Sequence, residues 1–354
     1  MESLLNILSI KSPLIQAPMA GIQDSELAIA VSRTGALGSL PCAMLSPEVL
    51  HSELIKIKEG TDNPVNLNFF SHVMPENSED QQKKWIKIVQ PYFEELQIDP
   101  ETDKGGATRL PFSQEHIEVL REFKPSIVSF HFGLPEAKLL DQLREWGTKI
   151  LSSATTVEEA LWLETHGVDV IIAQGVEAGG HRGMFLTDDI TTQTGTFALV
   201  PQIVEAVSVP VIAAGGIAGI REIKAAFTLG ASGVQIGTSY MLCKEARTTS
   251  LHRKALVSQK AKHTALTNVF TGRPARGIVN RFMKELGYMN ENAPSFPYAS
   301  LVSAMFRQAA EKNSSSDFSP HWAGENTTGC KEISAKELTL QWIKDINSVD
   351  LPGK

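Results

Sequence analysis

The sequence has few cysteines, and they do not pair along the chain. Cys42, Cys243 and Cys330 lie far apart, and no CxxC spacing occurs. This arrangement argues against a disulfide framework and against a zinc site, so we expect no bound metal. No stretch approaches the roughly 18 to 20 apolar residues that a membrane helix needs. The first 13 residues, with an acidic Glu2, also lack the pattern of a secretory signal, and we therefore expect a cytoplasmic protein.

The sequence also lacks an excess of positive charge. Lysine and arginine total 33 residues against 40 for aspartate and glutamate, which gives a formal net charge of −7. Such a chain has no bulk attraction for polyanions, so we expect neither nucleic acid nor a membrane surface as a partner. Hydrophobic residues make up 42% of the chain and charged residues 21%, which is typical of a globular protein. Its 354 residues allow two ordinary domains, or one large barrel with an attachment.

Short apolar runs alternate with amphipathic stretches over the first two-thirds of the chain. Nearly continuous apolar runs are typical of parallel strands that are covered on both faces. Eight such strands, alternating with helices, predict a closed (β/α)₈ TIM barrel, with a doubly wound open sheet as the alternative. The predicted strands are residues 14–19, 36–41, 65–70, 127–133, 149–154, 168–174, 210–216 and 233–238.

Two segments interrupt this alternation. Residues 73–111 are too long for a single loop, and more than 100 residues with helical patterns follow the last predicted strand. The simplest organisation is a barrel over residues 1–72 and 112–245, with a helix near 334–347 that returns to it. The inserted segment 73–111 and the C-terminal region 246–333 then form a helical cap that contributes the substrate pocket.

Glycines follow two neighbouring predicted strands. In a TIM barrel the functional residues lie at the carboxyl ends of the strands, and phosphate commonly binds after the last two. Gly215, Gly216 and Gly237 lie at these positions. They allow backbone N–H groups to approach a phosphate closely, and the next helix N-terminus favours an anion. The pattern predicts a phosphate-bearing ligand, with a simple tight turn as the alternative.

The segment 173–183, AQGVEAGGHRG, contains four glycines and ends near a histidine. Such a loop must bend tightly and allow a ligand to lie against its backbone. His181 can act as an acid, a base or a hydrogen-bond donor near neutral pH. Arg182 is either an anion contact or a solvated charge. His131, inside an apolar run, is either a buried structural histidine or a second wall of the pocket.

Taken together, these segments resemble the nitronate monooxygenase family, which consists of FMN-dependent barrel enzymes. The resemblance extends from near the N-terminus to about Phe282. The matching segments are residues 13–21, 65–68, 129–133, 173–183, 199–203, 211–216, 234–238 and 272–277. One departure is Glu325, which stands where the family's W-[AS]-G-Q segment has glutamine, and it puts the path of the C-terminal return in doubt.

The resemblance implies FMN as the cofactor and assigns roles to particular residues. His181 matches the active-site histidine, His131 matches a second catalytic pocket histidine, and Tyr298 closes the substrate pocket. The implied cofactor-binding residues are Pro18, Met19, Ala20, Gly21, Asn66 and Asn68 at the flavin ring, Gln174, Gly179 and Gly180 at the ring and ribityl chain, and Gly215, Gly216, Gln235, Ile236, Gly237 and Thr238 around the phosphate.

The implied activity is the oxidation of alkyl nitronates, such as propionate 3-nitronate, by O₂ to carbonyl compounds and nitrite, in a detoxification role. His181 would hold the nitronate oxygens. The expected partners are a small-molecule substrate and O₂, and the expected assembly is a monomer or a homodimer. One alternative is an NADH-dependent flavin reductase on the same barrel, acting on an enoyl thioester or a quinone. A second alternative is a non-catalytic scaffold that binds a flavin.

Overall fold

The chain folds around a barrel of eight parallel strands. The computed structural model describes residues 2–101 and 109–348. The barrel strands are β1 (Leu14–Gln16), β2 (Gly38–Pro41), β3 (Val65–Phe70), β4 (Ile127–His131), β5 (Lys149–Ala154), β6 (Val170–Gln174), β8 (Val211–Ala214) and β9 (Gly233–Ile236). Neighbouring strands are hydrogen-bonded in the order β1, β9, β8, β6, β5, β4, β3, β2, and a parallel bridge between Ile15 and Leu37 closes the ring. The predicted TIM barrel is thus confirmed.

Helices surround the barrel, and their buried residues pack on the outward side chains of the strands. None of the helices within the described ranges is long and apolar enough to cross a membrane. The helices are α1 (Glu2–Leu8), α2 (Ser25–Ser32), α3 (Pro47–Gly60), α4 (Glu79–Glu95), α5 (Gln114–Phe123), α6 (Ala137–Glu145), α7 (Val157–Thr165), α8 (Thr196–Ala206), α9 (Ile220–Thr228), α10 (Ser250–Leu256), α11 (Arg281–Leu286), α12 (Ala299–Lys312) and α13 (Ala335–Asn347).

The inside of the barrel is filled from its amino-terminal end. Leu4 and Leu8 of α1 belong to the same buried cluster as inward side chains of the strands, such as Ile15, Leu151 and Ile212. Burial of such aliphatic side chains contributes roughly 1.5–3 kcal/mol each. Because α1 closes this mouth, the opposite mouth, at the carboxyl ends of the strands, is the one that is open to a ligand.

Several strands end earlier than the sequence pattern predicts. The apolar runs continue to Met19, Gly133, Gly216 and Thr238, whereas the sheet hydrogen bonding stops two or three residues before each of these positions. The extra residues are loops that leave the sheet at the open mouth. The error has a physical reason, because apolar or glycine residues that line a cavity show the same pattern as residues of a buried strand.

The inserted segment and the C-terminal region share a second core. Trp85 and Phe93 of α4 are buried with Phe282 of α11 and Phe306 of α12. A three-stranded antiparallel sheet lies beside this core, in the order β10 (Thr264–Thr267), β11 (Ala275–Ile278) and β7 (Gly180–His181). Since β7 is part of the glycine loop, this sheet connects the C-terminal region to the mouth of the barrel. Helix α13 packs against α2 and α9. The division into barrel and cap domains stays a prediction.

Candidate active site

A cavity lies at the open mouth of the barrel, and most of the residues predicted from the sequence line it. They come from the loops after β1, β8 and β9, from β3, β4, β6 and β9 themselves, and from the glycine loop that contains β7. The lining residues that the sequence predicted are Pro18, Met19, Ala20, Asn68, His131, Gln174, Gly179, Gly180, His181, Gly215, Gly216, Gln235, Gly237 and Thr238. Four predicted residues do not line the cavity, namely Gly21, Asn66, Ile236 and Tyr298.

The positions of two of these residues on their strands explain why they do not line the cavity. Gln235 lines the cavity, while the next residue, Ile236, points to the opposite face and is buried in the outer core. Asn66 and Asn68 share one face of β3, but Asn66 lies deeper, where its Nδ2 donates to Ser39 Oγ at 3.0 Å. Tyr298 lies at the start of α12, and its hydroxyl donates to the carbonyl oxygen of Pro75.

One end of the cavity is formed by Gly215, Gly216, Gly237 and Thr238, which we call the glycine cradle. Gly215 and Gly216 have φ angles of +114° and +71°, a region that favours glycine. In the part of the chain that the structure describes, the N–H groups of Gly216 and Gly237 donate to no acceptor, and the buried Oε1 of Gln235 has no partner. Free N–H groups at two adjoining strand ends fit the phosphate of a nucleotide.

A C-terminal segment, residues 322–326, crosses the glycine cradle, and we call it the strap. Gly324 N donates to Thr238 Oγ1 at 2.9 Å, and Asn326 Nδ2 donates to Gly216 O at 3.0 Å. A Cβ on Gly179 would lie 2.5 Å from Gly324 N, so only glycine allows this approach. The sequence left the path of this C-terminal segment in doubt. In the structure Glu325 holds the segment in place, since its Oε1 lies 3.0 Å from Arg276 Nη1.

The glycine loop is held in shape by a buried arginine. Arg182 donates to the carbonyl oxygens of Gln174 and Gly175 at 2.6 and 2.7 Å, and to Gln193 Oε1 at 2.8 Å. Its side chain is fully buried, and burial lowers its pKa to about 9. Both alternatives considered for Arg182 are therefore wrong. It is neither a solvated charge nor an anion contact, because its donors are used within the loop.

His181 forms a wall of the cavity at the other end from the glycine cradle. Its Nε2 lies 2.9 Å from Thr271 Oγ1, and within the described ranges its Nδ1 has no hydrogen-bond partner. The rings of Phe70, Phe296 and Trp322 surround it, with centroids 5.3–6.3 Å away. Burial, and then the charge of nearby cations, lowers the pKa of His181 well below its usual value. The imidazole is therefore neutral near pH 7.

His131 lies behind His181, and both of its ring nitrogens have protein partners. Nε2 lies 3.1 Å from the carbonyl oxygen of His181, and Nδ1 lies 3.1 Å from Ser153 Oγ. A carbonyl can only accept, so Nε2 carries the proton and Nδ1 accepts from the serine hydroxyl. Burial lowers the pKa of His131 to about 4, which keeps it neutral. Neither nitrogen is left for a ligand.

Several lining residues were not found from the sequence. Arg109 lies near the end of the inserted segment, where no motif marked a functional position. Trp322, Gly324 and Asn326 belong to the strap, whose sequence matched a family segment but gave no location. The signal in the sequence that pointed to the strap was this match to the family segment.

The fold and the cavity define a TIM-barrel protein whose open mouth combines the glycine cradle with a half-buried histidine. Comparisons identify the family. The family model for nitronate monooxygenase matches residues 1–345. A curated relative, a probable nitronate monooxygenase of Bacillus subtilis, is 38% identical, with 98% of this chain and 99% of that protein covered. The nitronate monooxygenase of Pseudomonas aeruginosa is 36% identical, with 96% and 97% covered.

A solved structure agrees with this result. The nitroalkane oxidase of Streptomyces ansochromogenes superposes with a TM-score of 0.88 and 32% identity, and 98% of each chain is covered. The chain belongs to the nitronate monooxygenase family, as the sequence resemblance predicted. It is therefore an enzyme, a flavin-dependent oxidoreductase.

Proposed function

We propose that this enzyme oxidises alkyl nitronates with O₂ to carbonyl compounds and nitrite, with FMN as its cofactor, in a detoxification role. The observation that carries the proposal is the continuity of one cavity from the glycine cradle to the imidazole of His181. The names of the relatives support the same reaction class. The neutral imidazole of His181 suits an anionic nitronate, because it can donate a hydrogen bond to the nitronate without first gaining a proton.

The residues present fit FMN in both chemistry and position. Gly216, Gly237 and Thr238 would hold the phosphate, and the strap would cover it. Met19 and Gln174, between the cradle and His181, would flank the flavin ring. When bound, FMN supplies the electron transfer and the reaction with O₂ that protein side chains do not supply.

The protein contributes the position and the surroundings of the nitronate. His181 lines the cavity, and Thr271 fixes its Nε2 while Nδ1 has no partner within the described ranges, so the imidazole would hold a nitronate oxygen. For a neutral nitroalkane, the same nitrogen would remove the α-proton when the tautomer leaves it unprotonated. His131 would act as a positioning residue, because it holds the backbone of His181. The aromatic side chains Phe70, Phe296 and Trp322 would exclude water from this end.

The proposal is tested by three assays on the purified enzyme reconstituted with FMN. We expect a flavin absorption spectrum, O₂ uptake with propionate 3-nitronate, and one nitrite formed for each nitronate consumed. Rapid NADH consumption with an enoyl thioester or a quinone, without nitronate oxidation, would instead establish the reductase alternative. Bound flavin without turnover in either assay would establish the scaffold. Protein that does not bind FMN at all would contradict the cofactor assignment.

The glycine cradle gives a direct prediction for cofactor binding. In Gly215→Ala, the new Cβ must adopt a φ of +114° and would lie 2.8 Å from Thr196 Oγ1 and 3.1 Å from the carbonyl oxygen of Gly175. Strain of this kind costs about 1–3 kcal/mol, so we expect FMN to bind about 10- to 100-fold more weakly. Fluorescence titration of the apoprotein with FMN measures this change.

The matched control is Gly147→Ala. Gly147 also has a positive φ, +78°, but a Cβ there meets nothing within 4 Å, and the residue precedes β5 at the closed end of the barrel. This variant should lose some thermal stability and keep its FMN affinity. Equal FMN affinity in Gly215→Ala and the wild type would show that the cradle does not hold the cofactor.

A further inference from the structure

We propose that the strap, residues 322–326, is a gate that must open before FMN enters or leaves the cavity. The ion pair between Glu325 and Arg276, which we call the latch, keeps this gate closed. The inference rests on the proposed function, since FMN is the ligand that would pass the strap. It goes beyond that function because it assigns the rate of cofactor exchange to one pair of side chains.

The strap covers the glycine cradle and is bonded to it at two points. Gly324 N donates to Thr238 Oγ1 at 2.9 Å, and Asn326 Nδ2 donates to the carbonyl oxygen of Gly216 at 3.0 Å. Residues of the strap and of the cradle line the same cavity. A phosphate held between the cradle and the strap would therefore be released only when these two contacts break.

The latch joins the strap to a fixed cation. Glu325 forms the only ion pair of the strap within the described ranges. Its partner, Arg276, is buried in β11 and also donates to the carbonyl oxygen of Val176 at 2.8 Å and to Thr264 Oγ1 at 3.2 Å. The side chain of Glu325 is 48% exposed, so its carboxylate can turn to water when the pair breaks. Because Arg276 then keeps its other two acceptors, opening does not strand a buried charge, and the pair suits a reversible contact.

A gate of this kind changes the rates of FMN exchange without changing its affinity. The contacts that close the strap join protein groups alone, so the latch stabilises the closed strap both with and without FMN. Weakening the latch raises the population of the open strap by the same factor in both states. FMN should then enter and leave faster in equal proportion, while its Kd stays the same.

Glu325→Ala tests the gate through the kinetics of FMN exchange. Flavin fluorescence follows association with the apoprotein after rapid mixing, and dissociation after dilution of the loaded enzyme. We expect both rate constants to rise about 10-fold and Kd to stay within about twofold, as for loss of one partly exposed charge-assisted contact. Glu325→Gln keeps a hydrogen bond without the charge, so its rates should rise less, about 3-fold. Salt should accelerate exchange in the wild type and have little effect in Glu325→Ala.

Two further variants show whether the pair itself is responsible. Glu332→Ala is the matched control, because Glu332 is an exposed glutamate of the same C-terminal region, and its exchange rates should equal those of the wild type. In an Arg276→Gln background the latch is already broken, so adding Glu325→Ala should change the rates by less than about twofold. An equally large effect of Glu325→Ala in both backgrounds would show that the pair is not the latch.

Hydrogen exchange of the apoprotein separates this inference from the proposed function. Gly324 N donates to Thr238 Oγ1, and Glu325 N donates to the carbonyl oxygen of Glu177 at 3.0 Å. Exchange of these two N–H groups reports opening of the strap without FMN. It should be about 10-fold faster in Glu325→Ala and unchanged in Glu332→Ala. If the protein binds no FMN, the cofactor assignment fails, and this exchange still decides whether Glu325 holds the strap.

Three outcomes would overturn the inference. If hydrogen exchange in the strap accelerates but FMN association and dissociation do not, the strap opens without being the route of the cofactor. If Kd rises in Glu325→Ala while the association rate constant is unchanged, Glu325 holds FMN directly and is not part of a gate. If the Tm falls while hydrogen exchange in the strap and FMN exchange keep their wild-type rates, the pair serves only the fold.

Discussion

His181→Asn should lower kcat/KM for alkyl nitronates by about 100-fold, in the range for loss of a positioned acid–base or hydrogen-bonding group. Asparagine is shorter, so its amide does not reach the position of Nδ1 in the cavity. The contact with Thr271, 2.9 Å from Nε2 in the wild type, is lost as well. FMN should remain bound, because the glycine cradle that would hold its phosphate is formed by other residues of the cavity. Nitrite formation under saturating O₂ and the flavin content of the purified variant measure the two effects.

The control for this variant is His166→Asn. His166 is exposed at the end of α7, where its ring stacks on Trp162, and it lies outside the cavity. The His166→Asn variant should turn over nitronates at the wild-type rate. Wild-type turnover by His181→Asn would show that His181 is not catalytic. Loss of FMN in proportion to the loss of turnover would show instead that the histidine supports the cofactor.

The barrel was predictable from the sequence because each strand carries its own signal. Strands β3 and β5 begin and end at the predicted residues, since the residues of β3 and nearly all of those of β5 are buried. The glycine cradle was predictable for a related reason, because glycines at adjoining strand ends share one edge of the barrel. Both conclusions need only local patterns and one topological rule.

The parts that were missed depend on contacts between distant segments. β7 consists of Gly180 and His181, and it exists because β11, nearly 100 residues later, pairs with it. Arg182 looks like a surface residue in the sequence, and only the fold brings the carbonyl oxygens of Gln174 and Gly175 to its guanidinium. Arg109 carries no local signal, because only the fold brings it to the cavity that His181 lines. Such properties arise from three-dimensional packing and not from the spacing of residues.

The enzyme should lose several kcal/mol of stability between pH 7 and pH 5, and its Tm should fall by roughly 10 °C or more. Burial lowers the pKa of His72, His131 and His321 to about 4 and that of His252 to about 3, and the pKa of His181 is also well below its usual value. In the unfolded chain each pKa returns to about 6.5, so the unfolded state binds more protons below that pH. Each of the four histidines whose pKa falls to about 3 or 4 therefore contributes a loss on the order of 1–2 kcal/mol over this interval, and His181 adds a loss in the same direction.

The stacked pair His252 and His321 makes this prediction specific. Their rings lie 4.5 Å apart, and the Nε2 atoms of both are buried without partners in the described part of the chain, so an added proton has no acceptor. His252→Gln should make the Tm less sensitive to acid between pH 7 and pH 5, whereas His166→Gln should not. Carboxylates contribute in a different window, since Arg281 lowers the pKa of Glu95 and such groups act below about pH 4.5. A Tm that stays constant from pH 7 to pH 5, or equal acid sensitivity in the two variants, would contradict the assignment of the effect to buried histidines.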